Sequence, residues 1–235
     1  MGSQSNKGQL IHPQHDAFGV LQVVENNTAR SLYFGNSVEQ GRLNLDSPMR
    51  LPLEYQQVIE AHILTHHQTH PVQRILMLGM GGGSLASHLH LLHPDSTIHI
   101  VELRQAVIDI AYDYFQLPEV PEIEAIQEDA FIFIKEALSQ YDVIIVDVFD
   151  ESGVPEPFTT SSFQQDLVNN LTPSGLILFN LWANQSENQQ KHTQQVIDYW
   201  QAQSCTTAST RNIRLNAYPI SSTENIILSI QIQMF

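Results

Sequence analysis

A run of glycines behind an apolar strand, and carboxylates at the ends of the strands that follow, are spaced as nucleoside chemistry requires. Ile75-Leu76-Met77-Leu78 leads into Gly79-Met80-Gly81-Gly82-Gly83-Ser84, and Glu102 closes the next apolar stretch. Gly79 and Gly81 permit a tight turn and let the backbone approach a ligand where a Cβ would clash. A helix starting near Gly83 offers unpaired N–H groups to that ligand, and Glu102 is placed to accept hydrogen bonds from vicinal ribose hydroxyls. The order strand, glycine loop, helix, strand, acid predicts a nucleoside site, against the alternative of a purely structural turn. The pattern G-x-G-x-x-S misses the final Gly or Ala that nicotinamide dehydrogenases prefer. Further along, Glu128-Asp129-Ala130 and Asp147-Val148-Phe149-Asp150 follow two more apolar strands. Their carboxylates should converge above the sheet, where open α/β folds bind ligands, and such a ring of acids suits a cation.

The elements that must position these groups can be read from periodicity. From residue 74 onward strands and helices alternate: 75–78, 84–92, 97–101, 105–115, 123–126, 130–138 and 143–146. That alternation predicts a mostly parallel, Rossmann-like α/β sheet with helices on both faces. A helix over 161–171, a strand over 176–181 and a polar helix over 189–203 continue it. The tail changes character, since 206–215 and 226–232 carry no helix between them and predict an antiparallel strand pair closing the sheet. Ahead of the core, short runs at 20–24, 29–34 and 43–45 predict a small β meander. Apolar positions Tyr55, Val58, Ile59 and Ile63 predict a helix over 53–67. The expected division is a meander over 1–52 and a nucleoside-binding domain over 53–235.

Composition narrows the partners. Asp and Glu number 25 against 10 Lys and Arg, a formal charge of −15, which opposes binding to a phosphate backbone and leaves nucleic acid excluded as a partner. The surplus suits a cationic small molecule, or serves solubility. The single cysteine, Cys205, has no partner for a disulfide or a nucleophilic site. No apolar run reaches the roughly 20 residues of a membrane span, and the polar N-terminus lacks a signal peptide's apolar stretch. A cytoplasmic protein with no membrane partner is expected. His62, His66 and His70 lie at i, i+4 and i+8, with His67 adjacent. That spacing could hold a metal, but without an H-E-x-x-H pattern it reads as an exposed polar helix end, as do His88, His90 and His93. No metal site is expected.

At this point the sequence resembles the spermidine synthases and their synthase-like relatives, which share the methyltransferase-type nucleoside fold, from the N-terminal strands through Asn180. In that family the glycine loop reads GGGDGG, the second strand ends in an acid, the third precedes an Asp, and the fourth ends in D-[ST]-S-D-P. The resemblance implies that Gly79, Gly81 and Gly82 line the cofactor with Ala130, that Glu102 holds the ribose, and that Asp129 faces the adenine amino group. It implies Asp147 as the carboxylate that deprotonates the amine, with Asp150 and Tyr55 binding the substrate. It also implies S-adenosylmethionine or its decarboxylated form as co-substrate, no tightly bound cofactor, and a homodimer. There are departures. The family's loop Asp falls at Gly82, its final loop glycine at Ser84, its Tyr-His-Glu at Tyr55-Gln56-Gln57, and its proline at Glu151.

Chemistry at such a site is an in-line displacement at carbon next to sulfonium sulfur, with an amine attacking. An ammonium has no free electron pair, so a positioned carboxylate must first take a proton. Asp147 is the expected base, the alternative being that it caps the strand end. The expected function is transfer of an aminopropyl group to an amine acceptor. Methyl transfer from intact S-adenosylmethionine and a non-catalytic nucleoside- or partner-binding domain are the alternatives. The loop 151–160, with Pro155 and Pro157, is expected to form an ordered lid over the acceptor.

Overall fold

The computed structural model describes residues 8–36, 38–137, 139–150, 153–182, 187–205, 211–220, 222 and 224–234. Strands β1 (Gln9–Asp16), β2 (Gly19–Glu25), β3 (Ala29–Tyr33) and β4 (Glu39–Asn44) form an antiparallel four-stranded sheet in that order. β1 was not expected from the sequence, because Pro13 and its polar neighbours break the apolar alternation that marks a strand. It pairs with β2 around an irregularity between Leu10 and His12.

Helix α1 (Glu54–His67) leads into a second sheet of seven strands: β5 (Arg74–Leu78), β6 (Thr97–Glu102), β7 (Ile123–Gln127), β8 (Tyr141–Val146), β9 (Leu171–Trp182), β10 (Arg211–Ile220) and β11 (Asn225–Met234). Their spatial order is β10-β11-β9-β8-β5-β6-β7. β9, β8, β5, β6 and β7 run parallel, and β11 and β10 are added antiparallel at one edge. The result is the Rossmann-like, methyltransferase-type α/β fold with an antiparallel C-terminal pair. Crossovers are made by α2 (Ser84–Leu92), α3 (Gln105–Phe115), α4 (Ala130–Glu136) and α5 (Ser161–Asn169), and α6 (Glu187–Ser204) precedes β10. Positions 206–210, assigned to a strand from sequence, and Leu138 lie outside the described residues.

Alternation along the central strands builds two cores. Ile75 and Met77 of β5 face one way, with Ile59, Ile63, Leu85, Val107 and Phe115 from α1, α2 and α3. Leu76 and Leu78 face the other, with Ile134, Phe163, Leu167 and Trp200 from α4, α5 and α6. A strand buried on both faces must be apolar throughout, and four of the five β5 residues are buried. The helix starts are set locally: Asp129 caps α4 by accepting from the Phe131 N–H, and Thr160 caps α5 by accepting from the Phe163 N–H.

His66 and His93 correct the expectation of exposed helix ends, both being buried, whereas His67 is exposed as expected. His66 is only 5% exposed. The α1 face that carries it packs on the C-terminal ribbon, where the His62 ring meets Tyr218 at 4.5 Å and the His66 ring stacks on His70 at 4.8 Å. A sequence reading of α1 alone could not anticipate this, because the covering surface comes from strands about 150 residues away, an instance of tertiary packing overriding local pattern. Among the described residues no group of three or more His, Cys, Asp or Glu is arranged to hold a metal, and no helix is long and apolar enough to cross a membrane.

Candidate active site

The glycine loop joins β5 to α2 and is closely packed by the β8 end, α3 and β4. Gly79 has φ +94°, and a Cβ there would stand 2.1 Å from the Asp147 carbonyl oxygen, so only glycine lets the β5 and β8 ends come this close. At Gly82 a Cβ would meet the Phe115 ring at 2.8 Å. From above, β4 lies on the loop: a Cβ on Gly41 would come within 2.5 Å of the Gly82 nitrogen, and one on Gly81 within 2.5 Å of the Gln40 carbonyl oxygen. The four-stranded sheet is therefore seated backbone to backbone on the loop.

Glu102 ends β6 as expected and is 8% exposed. Its Oε2 accepts from the Met80 N–H at 3.2 Å and its Oε1 from the Arg104 N–H at 3.0 Å. Burial pushes its acidity toward the neutral form, opposed by those N–H donors and the Arg104 charge. Each oxygen retains a further lone pair for a hydroxyl donor. One strand over, Glu102 pairs with Gln127, and Asp129 follows two residues later, half-buried at the start of α4 with Ala130 beside it.

Asp147 follows β8 directly and is half-buried. Its Oδ1 accepts from Asn180 Nδ2 at 2.8 Å, and its Oδ2 accepts from the Tyr55 hydroxyl at 3.3 Å. Burial raises its pKa from the ordinary carboxylate value, and the Asn180 and Tyr55 hydrogen bonds oppose that rise. The Tyr55 phenol is pushed well up by burial and then by the Asp147 charge, so it stays protonated and donating. Tyr55 and Asp147, 92 positions apart in sequence, are thus brought together.

Asp150 stands differently. It is exposed, and its backbone closes a tight loop with Gly153 through bonds of 2.9 and 3.2 Å. Between Asp147 and that loop, the Phe149 ring meets Trp182 edge-on at 6.1 Å. Glu151 and Ser152, the start of the expected lid, lie outside the described residues. Its remainder is packed down, with Val154 and Phe158 buried against the α5 core. A recess of about 300 Å³ lined by Thr69, His70, Asn212, Arg214, Gln231 and Gln233 lies at the far end of α1 from Tyr55 and shares no residue with the carboxylate cluster.

Sequence reasoning missed Asn180. Its signal was present, a lone amide closing the apolar run Leu176–Phe179, because a polar side chain at the end of a buried strand must find a partner. Asn225, which donates to Asn180 Oδ1 at 2.7 Å, and the Gln40–Gly41 seat on the loop carried no such mark.

With this geometry in view, likeness to known proteins becomes informative. A family described as the spermine/spermidine synthase domain matches residues 53–232. A polyamine aminopropyltransferase of Chromobacterium violaceum is 30% identical over 174 residues, covering 74% of this chain and 66% of that protein. That span is just under two thirds of the relative's length. Among solved structures, a probable spermidine synthase from Corynebacterium glutamicum superposes with a TM-score of 0.74 at 19% identity, covering 95% of this chain and 79% of that one. Human methyltransferase-like protein 13, solved with SAH, gives 0.63 at 24% identity, covering 78% and 83%.

Proposed function

The chain belongs to the spermine/spermidine synthase domain family, and from that premise we propose that it transfers an aminopropyl group from decarboxylated S-adenosylmethionine to an amine acceptor. The carrying observation is Asp147, a half-buried carboxylate held by Asn180 and Tyr55 whose backbone carbonyl abuts Gly79 of the nucleoside loop. Base and nucleoside loop are adjacent by construction of the sheet.

The residues fit the co-substrate. Glu102 offers lone pairs to the ribose hydroxyls, and Asp129 and Ala130 stand at the adjoining strand end for the adenine. In the reaction the acceptor nitrogen bonds to the aminopropyl carbon, the carbon–sulfur bond breaks, and sulfur leaves with the electron pair as methylthioadenosine. The amine proton goes to Asp147. A carboxylate with raised proton affinity is a better acceptor for it than an exposed one. Asp150, at the rim, holds the distal ammonium of the acceptor. The −15 charge favours arrival of a polycation. The protein acts in the cytoplasm as a homodimer, the second part of which is supported by the open edge of β1, which invites pairing with a second copy.

Incubation with decarboxylated S-adenosylmethionine and a linear diamine, read by mass spectrometry, should show methylthioadenosine and a product heavier by one aminopropyl group. One observation favours a second reading, methyl transfer from the intact cofactor. Gly82 replaces the family's loop acid, and the Phe115 ring occupies the side-chain space there. Release of S-adenosylhomocysteine from S-adenosylmethionine, with no methylthioadenosine from the decarboxylated form, would establish that reading instead.

A further inference from the structure

Arg104 touches both structures that a nucleoside site here needs to hold together. Its backbone N–H donates to Glu102 Oε1 at 3.0 Å. Its side chain, 7% exposed, reaches the β1–β2 turn: Nε donates to Asp16 Oδ2 at 2.9 Å, and Nη2 to Asp16 Oδ1 at 2.8 Å and to the Gly19 carbonyl at 3.1 Å. The guanidinium also lies 4.8 Å from the Phe34 ring centroid and 5.9 Å from that of Phe18. A two-pronged guanidinium–carboxylate pair fixes orientation as well as distance. Arg104 is the residue from which α3 starts, and no side chain caps that helix. The guanidinium anchorage and the N–H that grips Glu102 thus belong to one residue at the start of α3.

The other Glu102 oxygen accepts from Met80 in the glycine loop, and that loop carries β4. A closed circuit results: sheet to Asp16, Asp16 to Arg104, Arg104 to Glu102, Glu102 to the loop, and the loop back to the sheet through Gly41. We propose that Arg104 is a positioning residue that couples seating of the N-terminal sheet to nucleoside binding, by holding Glu102 in register with the loop. This rests on the reading of Glu102 as the ribose ligand. Asp16 touches neither Glu102 nor the loop, so its influence on ligand affinity passes through Arg104 to Glu102 or through the sheet to Gly41, and the double variant below tells the two routes apart.

The same sheet has a second ion pair that serves as a control. Arg30 pairs with Glu25 and donates to the Tyr114 carbonyl in the last turn of α3, at the end of that helix away from Glu102. Calorimetric titration of the full chain with methylthioadenosine compares Asp16→Asn, Glu25→Gln, Glu102→Gln and the Asp16→Asn/Glu102→Gln double variant, with Tm recorded for each. Asp16→Asn should weaken binding about tenfold, within the usual range of coupling between distinct sites. Glu25→Gln should leave affinity within about twofold even where Tm falls equally, and the double variant should bind no worse than Glu102→Gln alone.

Equal weakening by Asp16→Asn and Glu25→Gln, or none by Asp16→Asn while Glu102→Gln weakens, overturns the coupling. If the unaltered chain does not bind, or Glu102→Gln leaves the affinity unchanged, the ribose reading fails instead. Should Asp16→Asn not fold, hydrogen exchange on the unaltered chain decides. Methylthioadenosine should slow amide exchange over residues 16–20, and unchanged exchange there overturns the proposal.

Discussion

Asn180 donates its side-chain amide to Asp147 Oδ1 at 2.8 Å while its own carbonyl accepts from Asn225 at 2.7 Å, so side chains at the ends of adjacent strands β8, β9 and β11 form one line. This line opposes what burial does to Asp147. The carboxyl's pKa is raised by burial and lowered by Asn180 and Tyr55. Asn180→Ala removes one lowering contact, so the pKa rises further. A general base works only when deprotonated, so the acidic limb of the pH–rate profile for kcat should move to higher pH. A profile unmoved by the substitution would show that Asn180 does not tune the base.

Asp147→Asn keeps the shape and the Asn180 and Tyr55 neighbours but cannot take a proton. Turnover should fall by roughly 10²- to 10⁴-fold, the usual worth of a positioned base. Methylthioadenosine affinity should stay within a few-fold, because the Asp147 carboxylate is not in the Glu102 network. Full turnover in this variant would assign Asp147 to strand-end capping.

Gly82 tests why the loop lacks the family's acid. A Cβ there would stand 2.8 Å from a Phe115 ring that is 1% exposed and has no room to retreat. Gly82→Asp should therefore destabilise the protein by about 1–3 kcal/mol, the usual cost of overpacking, without improving turnover. Trimming the ring in Gly82→Asp/Phe115→Leu should restore more stability than Phe115→Leu removes by itself, a non-additivity read from denaturant midpoints. Additive effects would mean that the ring is not what keeps position 82 a glycine.

Much of this site was legible from the order of residues. The alternation of strand and helix fixes which chain segments end on the same edge of a parallel sheet, so Gly79, Glu102, Asp129 and Asp147 could be placed on one edge before any contact was known. What stayed hidden was everything that depends on two distant segments meeting. Tyr55 donates to Asp147 because α1 crosses the β9–β11 surface, and Asp16 reaches Arg104 because the β1–β2 turn meets the start of α3. Neither fact leaves a local periodicity. His66 was misread for the same cause: four histidines in nine residues look like a solvated stripe, and only the packing of α1 on distant strands shows that this one is buried.

His66 carries the last expectation. Its ring is pushed down from 6.5 to about 4, first by burial and then by the neighbouring His70, with His67 adding to the effect and the Asp142 carboxylate opposing it. Both ring nitrogens are buried without a hydrogen-bond partner. In the unfolded chain the ring regains its ordinary proton affinity, so below pH 6.5 the unfolded state binds a proton that the folded state refuses. Stability from this group is therefore full above pH 6.5, falls as pH drops, and stops falling once the folded ring itself protonates near pH 4. Between pH 8 and pH 5 the loss should be about 2 kcal/mol, read from urea denaturation at the two values. His66→Leu removes both the titration and the unpartnered nitrogens, so the variant should hold its stability at pH 8 and lose distinctly less on acidification. An equal loss in the variant would place the acid sensitivity elsewhere in the chain.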